Sequence, residues 1–120
     1  MKTLLLIDDD PSLLLLMTKQ CEAAGYTVEP HSSAGALLGS WFTNPNKYAA
    51  IITDCEMPIH RGPVLAKALR RLGCITPIIM VSGHGDVFDR HQLDQWGITA
   101  YLPKPFDVPM IKALLDEVLV

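Results

Sequence analysis

The chain has 120 residues, is 49% hydrophobic and carries a net charge of −3, which is enough for one domain with a real core and too little for two. That charge gives no basic footprint for nucleic acid. Three widely spaced cysteines, Cys21, Cys55 and Cys74, argue for reduced thiols in a reducing compartment and against a disulfide framework.

The N-terminus has one lysine and four apolar residues before Asp8, Asp9 and Asp10, too short for a signal peptide or for the ~20 apolar residues of a membrane span. A soluble, cytoplasmic protein is expected. Residues 4–7 read as a first strand. Asp10 is a good N-cap and Pro11 suits the first helical turn, so a helix is predicted over 11–24, stopped by Gly25. Its leucines, Leu13 to Leu16, exceed what one buried stripe requires. Either the helix is well buried, or one or two leucines face outward to meet a partner helix.

Residues 26–29 form a weak second strand, and Ser32 or Ser33 caps a helix over 34–42. The third strand, 49–53, is short, apolar and β-branched, as a strand buried on both faces should be. It runs into Asp54, and Pro58 stops it. Gly62 and Pro63 then mark a turn into a helix over 63–72, with Val64, Leu65, Ala68, Leu69 and Leu72 as its buried stripe and Lys67, Arg70 and Arg71 solvated. A fourth strand over 77–81 ends at Ser82. Asp86 caps a short helix that runs to Trp96 and is ended by Gly97. Residues 98–102 make a fifth strand before Pro103-Lys104-Pro105, and Asp107 caps a last helix carrying Ile111, Leu114, Leu115 and Val118. Strands alternating with helices over short loops give a parallel sheet covered on both faces.

In such a sheet the carboxyl ends of the strands share one edge, where ligands bind. Asp8 and Asp9, Asp54, Ser82 and Lys104 all fall there. Three packed carboxylates repel unless a cation neutralises them, and hard oxygen ligands suit Mg²⁺. Lys104 and Ser82 then offer a charge and a hydroxyl to the oxygens of a phosphoryl group, with Asp54 as the candidate nucleophile.

The motifs LLLIDDDPS, ITDCEMPIHRG, IIMVSGHGD and AYLPKPF stand in the order and near the spacing of the CheY-like receiver domains of two-component response regulators, which the chain resembles over nearly its whole length. The resemblance implies a three-layer α/β/α sandwich with a flavodoxin-like sheet of order 2-1-3-4-5, residues 1–120 forming one receiver domain. It implies that Asp54 is the phosphoacceptor, that Asp9 ligates Mg²⁺ directly and Asp8 mainly through water, and that the Glu56 backbone carbonyl is a further ligand. Ser82 is then the switch hydroxyl, Lys104 the phosphate-binding lysine and Tyr101 the aromatic that reports the switch. The Lys104-Pro105 bond is expected to be cis. The implied donor is a phosphohistidine on a histidine kinase or histidine phosphotransfer protein; the leucine-rich first helix is the candidate surface for docking it. The implied output is a partner bound at the α4-β5-α5 face, with at most slow autodephosphorylation and no true turnover.

Some positions depart from the common pattern: Ser82 stands where threonine is frequent, and Arg61 where an acid is frequent. Glu56 and His84 lie where members of the family it resembles tune phosphate lifetime. Two other readings exist. A haloacid-dehalogenase-like phosphatase would use Asp8 as nucleophile and Asp10 as acid/base, leaving Asp54 without a role. A receiver-like interaction module would never be phosphorylated. Tyr101 and Cys55 also have plain readings as core residues, and His60, His84 and His91 as surface residues.

Overall fold

A computed structural model describes residues 1–55, 62–83 and 85–119; the expectations for Glu56, Pro58, His60, Arg61 and His84 lie outside the described residues. Within them, β1 (Thr3–Ile7), α1 (Pro11–Ala23), β2 (Thr27–His31), α2 (Ala34–Thr43), β3 (Tyr48–Asp54), α3 (Gly62–Arg71), β4 (Ile78–Ser82), α4 (Arg90–Trp96), β5 (Ala100–Pro103) and α5 (Val108–Val118) follow one another. The strands pair in parallel in the order β2-β1-β3-β4-β5, the expected sheet.

The continuous apolar runs split between two layers by the two-residue period of a strand. Leu5, Ile7, Ile51, Ile78 and Met80 point to one face and pack with Leu37 and Trp41 of α2 and Leu65 and Leu69 of α3. Leu4, Leu6, Ile52, Ile79 and Val81 point to the other and meet Met17, Cys21, Ile111 and Leu115 of α1 and α5. Each such fully buried aliphatic side chain stabilises the fold by roughly 1.5–3 kcal/mol. Among the described residues no helix is long and apolar enough to cross a membrane.

Several element details differ from the sequence expectations. Tyr26 belongs to the turn after α1, its N–H donating to the Cys21 carbonyl. The second strand therefore starts at Thr27 and runs through Pro30, which an edge strand tolerates. Asp10 and Pro11 start α1 as expected, and of the two alternatives for its leucines the outward-facing one describes them: Leu15 and Leu16 are 57% and 49% exposed.

The α3 stripe is rotated. Gly62, Leu65, Ala66 and Leu69 face inward, whereas Val64 and Leu72 are exposed. Arg70 is not solvated: it donates to the carbonyls of Gly97, Cys74 and Thr76 at 2.9, 3.0 and 2.8 Å. Asp89, not Asp86, caps α4, through a capping box with Gln92. Ile98 and Thr99 precede β5: the Ile98 N–H still bonds back to Leu93 of α4, while Thr99 donates to the Ile78 carbonyl.

Candidate functional site

Parallel pairing sets Ile7 of β1 beside Thr53, Asp54 beside Val81, and Ser82 beside Pro103. The residues at or just past these four strand ends, Asp8, Asp54, Ser82 and Lys104, therefore share one edge. Asp54 is the last residue of β3 itself, so its backbone is fixed by the sheet.

Carboxylate oxygens of Asp8, Asp9 and Asp54 lie within 4.8 Å of one another. The Lys104 ammonium sits 2.8 Å from Asp54 Oδ1 and 3.5 Å from Asp8 Oδ2; the first is a charge-assisted hydrogen bond, the second a looser ion pair. Burial opposes the charge on Lys104, yet the hydrogen bond and field of Asp54, with help from Asp8, hold its pKa above the ordinary lysine value. Asp8 is fully buried. Burial, joined by the Asp54 charge, raises its pKa against the lowering pull of the Asp10 N–H and Lys104. Its Oδ1 accepts that N–H at 2.9 Å, while Oδ2 accepts no hydrogen bond among the described residues.

Two backbone hydrogen bonds hold the cluster in shape. The Lys104 N–H donates to the Ser82 carbonyl at 2.7 Å; the Lys104-Pro105 peptide that follows is cis. The Gly62 N–H donates to the Cys55 carbonyl at 2.9 Å, closing the chain back on the end of β3.

These donors fit a hard dication. A spread of 4.8 Å is close to the ~4.2 Å that separates opposite ligands of Mg²⁺ at 2.0–2.1 Å, and the buried Asp8 Oδ2, with only the loose Lys104 ion pair at 3.5 Å against it, is an oxygen that a closer cation would satisfy. Ser82 Oγ is likewise buried, without a hydrogen-bond partner among the described residues.

Of the other sequence candidates, Tyr101 is half-buried on β5, its ring edge-to-face with Phe88 at 5.2 Å. Cys55 is half-buried against the layer under α2 and α3, and His91 is exposed. Asp10, the acid/base of the phosphatase reading, has its carboxylate held by the N–H groups of Ser12 and Leu13 at the start of α1. Phe88 carries no motif in the sequence, and Gly62 marks only a turn there.

A family model described as "Response regulator receiver domain" matches residues 4–116. The transcriptional regulatory protein GlrR of Escherichia coli (strain K12) is 30% identical over 116 residues, covering 97% of this chain and 26% of that protein. The transcriptional regulatory protein FixJ of Azorhizobium caulinodans is 35% identical over 101 residues, covering 84% of this chain and 47% of that one. The solved structure of the chemotaxis protein CheY4 of Vibrio cholerae superposes with a TM-score of 0.87 at 28% identity, covering 99% of each chain. The chain spans about a quarter of GlrR and about half of FixJ. With two thirds or more of its residues matched by the family model, the chain belongs to the response regulator receiver domain family.

Proposed function

We propose that residues 1–120 act as one receiver domain in a phosphorelay, and that Asp54 takes a phosphoryl group from a phosphohistidine on a histidine kinase or histidine phosphotransfer protein. An Asp54 carboxylate oxygen attacks phosphorus, the P–N bond breaks, and the imidazole leaves with the electron pair. Asp8, Asp9, Asp54 and the Glu56 carbonyl would hold Mg²⁺, which when bound supplies positive charge to the oxygens of the transferred group. Lys104 would give a second positive charge, and Ser82 would donate its hydroxyl to a phosphoryl oxygen. The observation that carries this reading is the Lys104 ammonium 2.8 Å from Asp54, within a cluster of three convergent carboxylates.

In this reading Ser82 and Tyr101 shift with the modification and the α4-β5-α5 face changes its affinity for an effector protein. The domain acts in the cytoplasm, carries out no turnover beyond slow hydrolysis of its own phosphoryl group, and works without touching nucleic acid or membrane itself.

Incubation with acetyl phosphate and Mg²⁺, followed by intact-mass measurement, tests the assignment. One labile phosphoryl adduct is expected, absent without Mg²⁺ and absent in Asp54→Asn. An adduct that persists in Asp54→Asn refutes it. Sustained turnover dependent on Asp8 would instead favour the phosphatase reading.

A further inference from the structure

The described residues between Ser82 and α4 are mostly exposed. Gly83, Gly85, Asp86 and Val87 are exposed, Val87 by 81%, and the one backbone bond the described part makes within itself runs from the Asp86 N–H to the Gly83 carbonyl. Phe88 is different. Its half-buried ring packs edge-to-face on Tyr101 at 5.2 Å and 88°, and on Trp96 at 5.6 Å and 72°.

The backbones that carry the Tyr101 and Trp96 rings are well anchored. Tyr101 lies in β5, paired with Met80. Trp96 ends α4, and the next three carbonyls, of Gly97, Ile98 and Thr99, are held by Arg70 and Arg90 at 2.9, 2.7 and 2.9 Å. A displacement of the loop must therefore appear as movement of Phe88 across Tyr101 and Trp96, because edge-to-face contacts fix both separation and angle.

We infer that Phe88 is the coupling residue through which occupancy of the Asp54 site reaches Trp96 at the far end of α4. The inference rests on the phosphoacceptor reading: an oxyanion that recruits the buried Ser82 hydroxyl draws on the loop that begins there. Phe88, six residues on, is carried with it, and the indole of Trp96 loses or re-angles its aromatic neighbour. Phe88 touches no reacting group; it acts through Ser82 and Tyr101.

The test uses the full chain labelled with 5-fluorotryptophan, with Mg²⁺ and beryllofluoride as the phosphoryl mimic, read by ¹⁹F NMR. Bound beryllofluoride gives its own resonances, so occupancy and response are read together. On saturation the Trp96 resonance should shift while that of Trp41, buried under α2, stays in place; Trp96→Phe assigns the two. In Phe88→Leu, beryllofluoride should still bind within about twofold while the Trp96 shift falls by about fivefold or more, the lower end of ordinary coupling factors. The unmoved Trp41 resonance certifies the fold, and Phe88→Met replaces a leucine variant that does not fold. A Trp96 resonance that stays still at full occupancy, or a full shift without the Phe88 ring, overturns the coupling. Absence of bound-fluoride resonances in the wild type refutes the phosphoacceptor reading itself, and the coupling with it.

Discussion

A Cβ on Gly62 would stand 2.5 Å from the backbone carbonyl oxygen of Asp54 and 3.1 Å from Cys55 Cα. Helix propensity alone favours alanine over glycine by ~1 kcal/mol in a helix, but contact with the backbone of a central strand outweighs that gain. Gly62→Ala should destabilise by about 1–3 kcal/mol, the usual cost of overpacking, and slow modification by acetyl phosphate, since the backbone that must yield carries Asp54. Gly39, in α2 with nothing within 4 Å of its own Cβ position, is the control: Gly39→Ala should raise Tm. Equal Tm changes in the two variants would show that the Gly62 contact does not decide.

Asp8 bears an electrostatic cost in the folded state. Its carboxylate is buried beside that of Asp54, and a raised carboxyl pKa means that the ionised form is less favourable folded than unfolded. The penalty applies above the folded pKa and is relieved as pH falls. Asp8→Asn keeps an acceptor for the Asp10 N–H and removes the repulsion. Without Mg²⁺ at neutral pH, the variant should melt above wild type. Mg²⁺ at a hundredfold its Kd should then stabilise wild type by about 2.7 kcal/mol and the variant far less. Thermal melts with and without the ion decide; an Asp8→Asn variant that melts lower without Mg²⁺ contradicts the expectation.

Glu29 on β2 marks a second electrostatic knot, away from the carboxyl edge. Burial disfavours its charge, but donors from His31 at 2.9 Å, Tyr48 at 2.8 Å, Lys47 at 3.1 Å and Ser40 outweigh it and lower the pKa from 4.5 to about 2. A lowered carboxyl pKa stabilises the fold fully above the unfolded value and is lost as pH falls through the folded one. Wild type should thus lose Tm between pH 4.5 and 2 more steeply than Glu29→Gln. Parallel Tm-against-pH curves in that window would remove Glu29 from the acid response.

Most of the site was legible because it needs only strand ends. Apolar runs at residues 4–7, 49–53 and 77–81 are too hydrophobic to be anything but doubly buried strands, and parallel pairing then brings Asp8, Asp54 and Ser82 together without further information. Capping was legible where one candidate stood alone, as with Asp107. Before α4 there were two acids, and only Asp89 has a glutamine three residues on, a signal present in the sequence and passed over. The face of α3 was not legible: residues 62, 65, 66 and 69 and residues 64, 65, 68, 69 and 72 both fit a helical period, and the close approach of Gly62 to β3 selects the first. Arg70 and Phe88 were invisible for a related reason, since their partners, Gly97 for one and Tyr101 for the other, are supplied by distant segments.

The outward leucines of α1 bear on how a donor reaches Asp54. Leu13, Leu16, Met17 and Phe106 line an apolar groove of about 290 Å³ together with Gln20, Lys104 and Pro105, so on the proposed reading a helix laid in it would bring a phosphohistidine towards Lys104. Leu16 is 49% exposed, and a charge there should leave the fold within ~0.5 kcal/mol of wild type, as surface changes usually do. Leu16→Glu should slow transfer from the cognate phosphohistidine protein by about tenfold, a loss of ~1.4 kcal/mol of docking energy. Modification by acetyl phosphate, which needs no docking surface, should proceed at the wild-type rate. Rapid-quench measurement with both donors separates the two effects: equal slowing would place Leu16 in the chemistry of the site, and no slowing with the protein donor would remove α1 from the docking surface.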